Sequence, residues 1–257
     1  MEARGATHDV TVRRDPEPRG PAAYGAEVIG TFLLVFFICG LISISSNQAL
    51  ALDLAGLGLL HALILMVLVY ALGGTSGAHF NPAVTLALLA IRKISSASAT
   101  VYIACQAVGA VLAALVVALL FNDIGNAVNY GAATINPDVL QNGSVGLGLI
   151  AEALGTFMLM WAIMGLAVNP RGEAALAGVA IGGALGLAVM VFGPATGASL
   201  NPARWLGPAV ASGEFSDFWL YLLGPVVGAL AAALGYRALV LDRRGLQAMA
   251  PKEELPG

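Results

Sequence analysis

The chain has 257 residues, of which 58% are hydrophobic and only 11% are charged, a composition far from that of an ordinary soluble domain. Its formal net charge of −3 comes from charges in tails and loops, and no basic face indicates nucleic-acid binding. Cys39 and Cys105 both lie in apolar runs, so we interpret them as small buried hydrophobic residues rather than a disulfide or a metal site.

Residues 1 to 21 contain four arginines and no apolar core, which predicts a disordered arm. The first apolar run follows directly and lacks a small-residue cleavage site, so we interpret it as a retained membrane span rather than a signal peptide. The later runs are also long, continuous and aliphatic, which favours helices over a β-barrel. The predicted spans cover residues 22 to 46, 54 to 73, 98 to 120, 145 to 168, 174 to 193 and 217 to 240.

The chain contains two copies of one unit. Residues 26 to 32 recur as 151 to 157, residues 76 to 83 recur as 196 to 203, and Tyr102 recurs as Tyr221. We therefore predict two repeats, residues 22 to 120 and 145 to 240, with three spans in each. Because three is odd, the second repeat begins on the other side of the membrane, and the repeats are predicted to be inverted.

Lysine and arginine are distributed unevenly between the two sides of these spans. All 12 of them except Arg204 fall on the side of the N-terminal arm and of the C-terminal tail, residues 241 to 257. The positive-inside rule then predicts that both termini are cytoplasmic. The protein is predicted to be a multi-pass protein of the cell (plasma or inner) membrane.

A different element follows the second and the fifth predicted span. In each repeat a Gly-rich stretch leads into an Asn-Pro-Ala triplet, in which Asn is a favoured N-cap and Pro fits the first helical position. The first of these helices, predicted over residues 82 to 92, would be only about 16 Å long, roughly half the hydrocarbon thickness. The triplets are Asn81, Pro82, Ala83 and Asn201, Pro202, Ala203.

A helix that begins at membrane depth exposes unpaired N–H groups, which are tolerated only against protein or a water-filled cavity. Because the repeats are inverted, the two half-helices enter from opposite faces, and their positive ends meet near the midplane and repel cations and protons. Extended backbone before each Asn would offer carbonyl acceptors, and the Asn amides would offer donors, to a neutral hydroxylic molecule. The predicted carbonyl positions are Gly77, Ala78, His79, Gly197, Ala198 and Ser199.

Residues 76 to 85 and 197 to 204 are similar to the motifs of the aquaporin and glycerol-facilitator family, and the resemblance covers about residues 22 to 240. The resemblance implies an all-α membrane protein with six transmembrane helices and two re-entrant half-helices in inverted repeats. It also implies a homotetramer with one channel per subunit and no cofactor. Water and small uncharged solutes would cross the bilayer passively, with exclusion of protons and ions.

Arg204 lies in the first turn of the second half-helix, where a cation opposes the helix dipole, and its counterpart in the first repeat is Val84. A snorkelling arginine is the plain alternative. The resemblance instead implies that Arg204 belongs to a selectivity filter, with His61, Val189 and Ala198 at the family's other three positions. The second predicted span begins, and the fifth ends, on the side where Arg204 lies, so the chain order agrees with this assignment.

The filter residues leave the preferred solute open. Strict water channels of the family usually carry Phe and His where this chain has His61 and Val189, so the resemblance implies a wider filter. Glycerol facilitators usually have Asp after the filter arginine, where this chain has Trp205. Val189, Ala198 and Arg204 are similar to the nodulin-26-like subgroup, from which His61 departs. The alternatives are a channel for water and small neutral solutes, or a facilitator mainly for glycerol, urea or metalloid hydroxides with low water flux.

Glu27 and Glu152 are repeat-related carboxylates inside the first and fourth predicted spans, where ionisable groups are usually functional. They could relay protons in a coupled transporter, or they could accept hydrogen bonds from the loops before the half-helices, as the resemblance implies. We favour the second interpretation. The three histidines do not group with Asp, Glu or Cys at ligand spacing, so the sequence predicts no catalytic residue, no metal site and no enzyme.

Overall fold

A computed structural model of the protein describes residues 20–47 and 50–242. The described residues form helices and connecting turns without a strand, and six of the helices are long and apolar enough to cross a membrane, which confirms the predicted fold class. The α-helices are α1 (Pro21–Ser45), α2 (Leu54–Ser76), α3 (Pro82–Ala90), α4 (Ser96–Leu120), α5 (Asn122–Asn126), α6 (Val145–Ile163), α7 (Ala177–Thr196), α8 (Pro202–Ser212) and α9 (Phe218–Tyr236).

Several helix ends differ from the predicted bounds. α2 and α7 run three residues past the predicted ends at 73 and 193. Each helix ends at a glycine with left-handed backbone, Gly77 or Gly197. The earlier glycines and Pro194 do not end these helices. α3 stops at Ala90 rather than at 92. π-helical turns extend α6 over Met164–Val168 and α9 over Arg237–Asp242.

The connection between the repeats also contains structure that the sequence did not predict, namely α5 and a 3-10 turn at Asn129–Gly131. Most of the predicted arm 1 to 21 and of the predicted tail 241 to 257 lies outside the described residues. The domain bounds therefore stay predictions.

The six long helices pack in a pattern that relates the repeats. α1 packs mainly on α4, and α6 packs in the same way on α9, so the first and third spans of each repeat form a pair. The second spans, α2 and α7, pack against each other and join the repeats. This arrangement leaves room between the pairs for the two short helices.

The short helices enter from opposite faces. α3 packs in a cluster with Ala23 near the start of α1 and Tyr236 at the end of α9, so it occupies the half of the molecule that carries the first and last described residues. α8 packs with Ala133 of the connection and with Tyr221 near the start of α9, so it occupies the other half. With nine and 11 residues, the two helices are about 14 and 17 Å long and cannot cross the membrane alone.

Close helix contacts depend on glycine in both repeats. A Cβ atom on Gly228 of α9 would overlap the carbonyl oxygen of Ala153 in α6, whereas nothing lies within 4 Å of a Cβ on Gly183 of α7. We expect Gly228→Ala to lower stability by about 1 to 3 kcal/mol through overpacking, measured as thermal unfolding in detergent. Gly183→Ala is the matched control and should leave the unfolding temperature unchanged or raise it slightly, because alanine favours the helix over glycine. Equal effects of the two variants would contradict this account of the helix contact.

Candidate functional site

The two half-helices begin with the same cap. Asn81 and Asn201 have extended backbone, and each side-chain oxygen accepts a hydrogen bond from the residue two positions later, at 2.9 Å from the nitrogen of Ala83 or Ala203. Pro follows each Asn at the first helical position. The Asn oxygen is therefore used within its own helix, and the amide nitrogen is left to donate elsewhere.

Each Asn amide reaches the other half of the molecule. Asn81 Nδ2 donates to the carbonyl oxygen of Leu200 at 2.9 Å, and Asn201 Nδ2 donates to the carbonyl oxygen of Phe80 at 2.8 Å. The Asn that caps each half-helix is thereby hydrogen-bonded to the residue that precedes the Asn of the other half-helix. An NH2 group has two hydrogens, so one donor of each amide remains after this reciprocal bond. The positive ends of α3 and α8 consequently meet in the middle of the molecule.

Buried carboxylates hold the loops that precede the caps. Glu27 of α1 is fully buried, and its oxygens accept from the backbone nitrogens of His79 and Phe80 at 3.0 and 2.8 Å. Gln106 Nε2 and Ser76 Oγ donate to the same carboxylate, both at 2.7 Å. Each of these four groups can act as a donor, so the ionised carboxylate matches its surroundings.

The second repeat has the same arrangement with one partner fewer. Glu152 of α6 is fully buried and accepts from the backbone nitrogens of Ser199 and Leu200 at 2.9 and 2.6 Å, and from Thr196 Oγ1 at 2.7 Å. The contacts of Glu27 and Glu152 with the backbone of the loops are those of the loop-holding interpretation rather than of a proton relay.

The backbone of these loops is not extended, which corrects the sequence-based expectation for residues 77 to 79 and 197 to 199. φ is 51° at Ala78 and 46° at Phe80, and 41° at Ala198 and 53° at Leu200. In extended backbone successive N–H groups point to opposite sides, whereas residues of alternating handedness turn them into one concave anion site. The carboxylate contacts require that second geometry.

A narrow cavity runs past both caps. Its volume is about 30 Å³, and a water molecule needs roughly 10 to 15 Å³ on this measure, so only a few waters fit. Its lining combines polar and apolar side chains. The polar ones are His79, Asn81, Ser199, Asn201 and Arg204. The apolar ones are Leu34, Ile38, Leu65, Ala78, Val84, Leu159, Ile163, Ile181, Leu185 and Leu200.

Of the predicted filter residues, only Arg204 lines this cavity. It is 3% exposed, and its Nη1 has no hydrogen-bond partner among the described residues, so it can donate to a molecule that reaches it. Val189 and Ala198 belong to the hydrophobic cluster around the cavity. Gly77 and Gly197, predicted as carbonyl positions, terminate α2 and α7 and do not contribute to the cavity wall in the described structure.

His61 lies on α2 next to this region. Its side chain is 5% exposed, and Nδ1 is 2.7 Å from the carbonyl oxygen of Leu57 one turn earlier. A carbonyl only accepts, so Nδ1 carries the hydrogen, and Nε2 of the neutral ring is an acceptor. The ring thus has one acceptor that the bond to Leu57 leaves unused.

Sequence reasoning missed the hydroxyl residues that end α2 and α7, and it missed Gln106 as a side-chain partner of Glu27. Ser76 and Thr196 each bond a carboxylate, and Gln106 joins Glu27 to Thr85 Oγ1 at 3.0 Å. The repeat offered a signal for the first pair, because both positions carry a small hydroxyl residue before the same Gly-Ala. Gln106 has Pro225 as its counterpart, and its role could not be found from the repeat.

The geometry agrees with the comparison of the chain with known proteins. The model of the major intrinsic protein family matches residues 20–236. The chain belongs to this family. Relatives include "Aquaporin NIP1-1" of Zea mays, 39% identical over 222 residues, which are 86% of this chain and 76% of the relative. "Nodulin-26" of Glycine max is 40% identical over 211 residues, covering 82% of this chain and 75% of the relative.

A solved structure, the aquaglyceroporin from Plasmodium falciparum, shares the fold with a TM-score of 0.74 at 23% sequence identity, covering 88% of this chain and 98% of that one. Major intrinsic proteins are channels and not enzymes. The chain is accordingly a membrane channel, and its family transports water and small solutes passively.

Proposed function

We propose that the channel conducts water and small neutral solutes in single file and excludes protons and ions. The observation that supports this proposal is the cavity lined by the two reciprocally bonded caps and by Arg204, whose Nη1 has no hydrogen-bond partner among the described residues. The ends of α3 and α8 present partial positive charge to this cavity. A cation must lose its hydration shell and face both helix ends, whereas a neutral solute can exchange hydrogen bonds with the polar side chains that line the cavity.

In this proposal His61, Val189, Ala198 and Arg204 form the narrowest constriction on the side of α8. Val189 and Ala198 are small and apolar, which leaves more width than two aromatic residues would. The acceptor on His61 and the donor on Arg204 would bind opposite groups of a hydroxylic solute. The residues Ala78, His79, Ala198 and Ser199 would offer carbonyl acceptors, and Asn81 and Asn201 would offer the donors near the midplane.

A facilitator mainly for glycerol, urea or metalloid hydroxides is the second candidate function. The small Val189 and Ala198 favour it, as does the similarity to Nodulin-26 and to a protein described as an aquaglyceroporin. The two candidates differ in the ratio of solute flux to water flux, which light scattering on proteoliposomes measures directly.

The assembly and orientation are part of the proposal. We infer a homotetramer with one channel in each subunit, in the plasma or inner membrane, with both termini cytoplasmic. In this proposal the exposed loop residues Arg92, Lys93 and Arg171 are on the side of the N-terminal arm and the C-terminal tail, as the positive-inside rule requires. Protease or thiol-labelling access from one side of sealed vesicles tests the orientation.

Val189→His tests the proposed filter. A histidine at this position should narrow the constriction from α7, so we expect glycerol permeability to fall severalfold more than water permeability. The measurement is the shrinkage and swelling of proteoliposomes under osmotic gradients of sucrose, glycerol and urea. Val179→His, an exposed valine on the outer face of the same helix, is the control and should change neither permeability. Equal losses of glycerol and water flux in the Val189 variant would contradict the filter assignment.

A further inference from the structure

Two buried tyrosines contact the loops that precede the half-helices. Tyr102 on α4 and Tyr221 on α9 occupy equivalent positions in the repeats and are 1% and 0% exposed. The Tyr102 hydroxyl donates to the carbonyl oxygen of Ser76 at 2.9 Å, and the Tyr221 hydroxyl donates to the carbonyl oxygen of Thr196 at 3.0 Å. Both carbonyls belong to the last residue of a helix, where no intrahelical partner exists.

Ser76 and Thr196, which we call the anchor residues, connect each tyrosine to its loop. The Thr196 hydroxyl donates to Glu152 at 2.7 Å and lies 3.2 Å from the backbone nitrogen of Ala198, from which it accepts. The Ser76 hydroxyl repeats this pattern toward Glu27 and Ala78, at 2.7 and 3.1 Å. Each anchor residue therefore joins a tyrosine, a carboxylate and the second residue of a loop.

The loop residues next to the anchors need this support. Ala78 and Ala198 have φ values of 51° and 41°, and the left-handed region is unfavourable for a residue with a Cβ atom. Such a backbone persists only where surrounding contacts over-determine it. The hydrogen bond from the tyrosine fixes the peptide group at the start of each loop. The buried carboxylate fixes the peptide groups at the end of each loop.

We propose that Tyr102 and Tyr221 are positioning residues that control different properties of the channel. Tyr221 sets the width of the constriction at Ala198 and thereby the selectivity among neutral solutes. Tyr102 sets the loop in the other half of the pathway and thereby the flux of all solutes alike. This division follows because α3 and α8 lie in opposite halves of the molecule. It rests on the proposed function, which assigns Ala198 to the filter.

Three tyrosine-to-phenylalanine variants test the proposal by proteoliposome light scattering. In Tyr221→Phe the freed loop lets the constriction widen, so the ratio of glycerol to water permeability should rise severalfold. In Tyr102→Phe both permeabilities should fall together, and their ratio should not change. Tyr70→Phe is the matched control, because its hydroxyl donates to the carbonyl oxygen of Ala175 at 2.9 Å, outside both loops. This control should match the wild type in both permeabilities.

A second pair of variants covers the case in which Tyr221→Phe does not fold. Thr196→Val removes the hydroxyl bonds to Glu152 and Ala198 and should raise the ratio of glycerol to water permeability. Thr196→Ser keeps the hydroxyl, so this ratio should equal that of the wild type. An unchanged ratio in Tyr221→Phe or in Thr196→Val overturns the proposal, as does an equal ratio shift in Tyr102→Phe. A wild-type protein that conducts neither water nor glycerol would contradict the proposed function instead.

Discussion

Glu152→Gln is expected to destabilise the protein strongly. Glu152 accepts hydrogen bonds from Thr196, Ser199 and Leu200 and is fully buried. If the glutamine oxygen keeps Thr196 and Ser199, its NH2 group faces the N–H of Leu200, so two donors meet and one buried N–H loses its partner. A hydrogen bond to a charged group contributes about 1.5 to 3 kcal/mol, and an unsatisfied buried donor costs about 1 to 3 kcal/mol more.

The expected total of about 2.5 to 6 kcal/mol is a large fraction of the usual stability of a folded protein. The unfolding temperature in detergent and the yield of folded protein should therefore both fall sharply, and the surviving protein should conduct little water. Glu173→Gln, on an exposed loop residue, is the control and should leave both readouts unchanged.

The same variant separates the two interpretations of Glu27 and Glu152. A proton relay predicts that Glu152→Gln abolishes transport without loss of stability, and that the wild type accumulates solute when a proton gradient is applied. A loop-holding carboxylate predicts a loss of stability and no accumulation in any variant. Normal stability of Glu152→Gln together with lost transport would contradict the loop-holding interpretation.

The features that the sequence predicted well are local or repeated. An N-cap followed by proline acts within one helical turn, so the starts of α3 and α8 at Pro82 and Pro202 were predictable from two adjacent residues. The six spans follow from length and apolarity, and the inversion follows from an odd number of spans in each repeat. None of these arguments needs the position of a second element.

The features that the sequence did not predict arise where distant segments meet. The bond from Asn81 to the carbonyl of Leu200 joins residues 119 positions apart, and nothing in either motif indicates it. The positive φ values at Ala78 and Phe80 were missed because left-handed backbone is expected at glycine, not at residues with side chains. These residues adopt it because the carboxylate of Glu27 binds successive N–H groups from one side.

The filter shows a third limit. Arg204 could be singled out because a cation at the positive end of a helix is unfavourable there. His61 and Val189 were assigned by family spacing, and neither lines the described cavity. Their small exposed fractions of 5% and 6% place them among packed residues, so their proposed roles depend on the permeability experiments rather than on cavity shape.

Arg204→Val is expected to make the channel leak protons. Valine is the residue that the first repeat carries at the equivalent position, Val84, so the change replaces the charge with a side chain already accommodated in the first turn of a half-helix. At a separation of about 4 Å and an effective dielectric constant of about 20, Arg204 repels a monovalent cation by about 4 kcal/mol. That repulsion corresponds to roughly a thousandfold in the rate at which a cation passes. The positive ends of α3 and α8 remain in the variant and keep part of the barrier to cations.

We therefore expect the proton conductance of proteoliposomes, measured with an internal pH-sensitive dye, to rise by at least an order of magnitude. Glycerol flux should rise relative to water flux in the same vesicles, since valine is smaller and offers no donor. Arg171→Val removes an exposed arginine from a loop and should change none of these quantities. Proton conductance as low in Arg204→Val as in Arg171→Val would mean that the helix ends alone exclude cations and that the arginine acts only on neutral solutes.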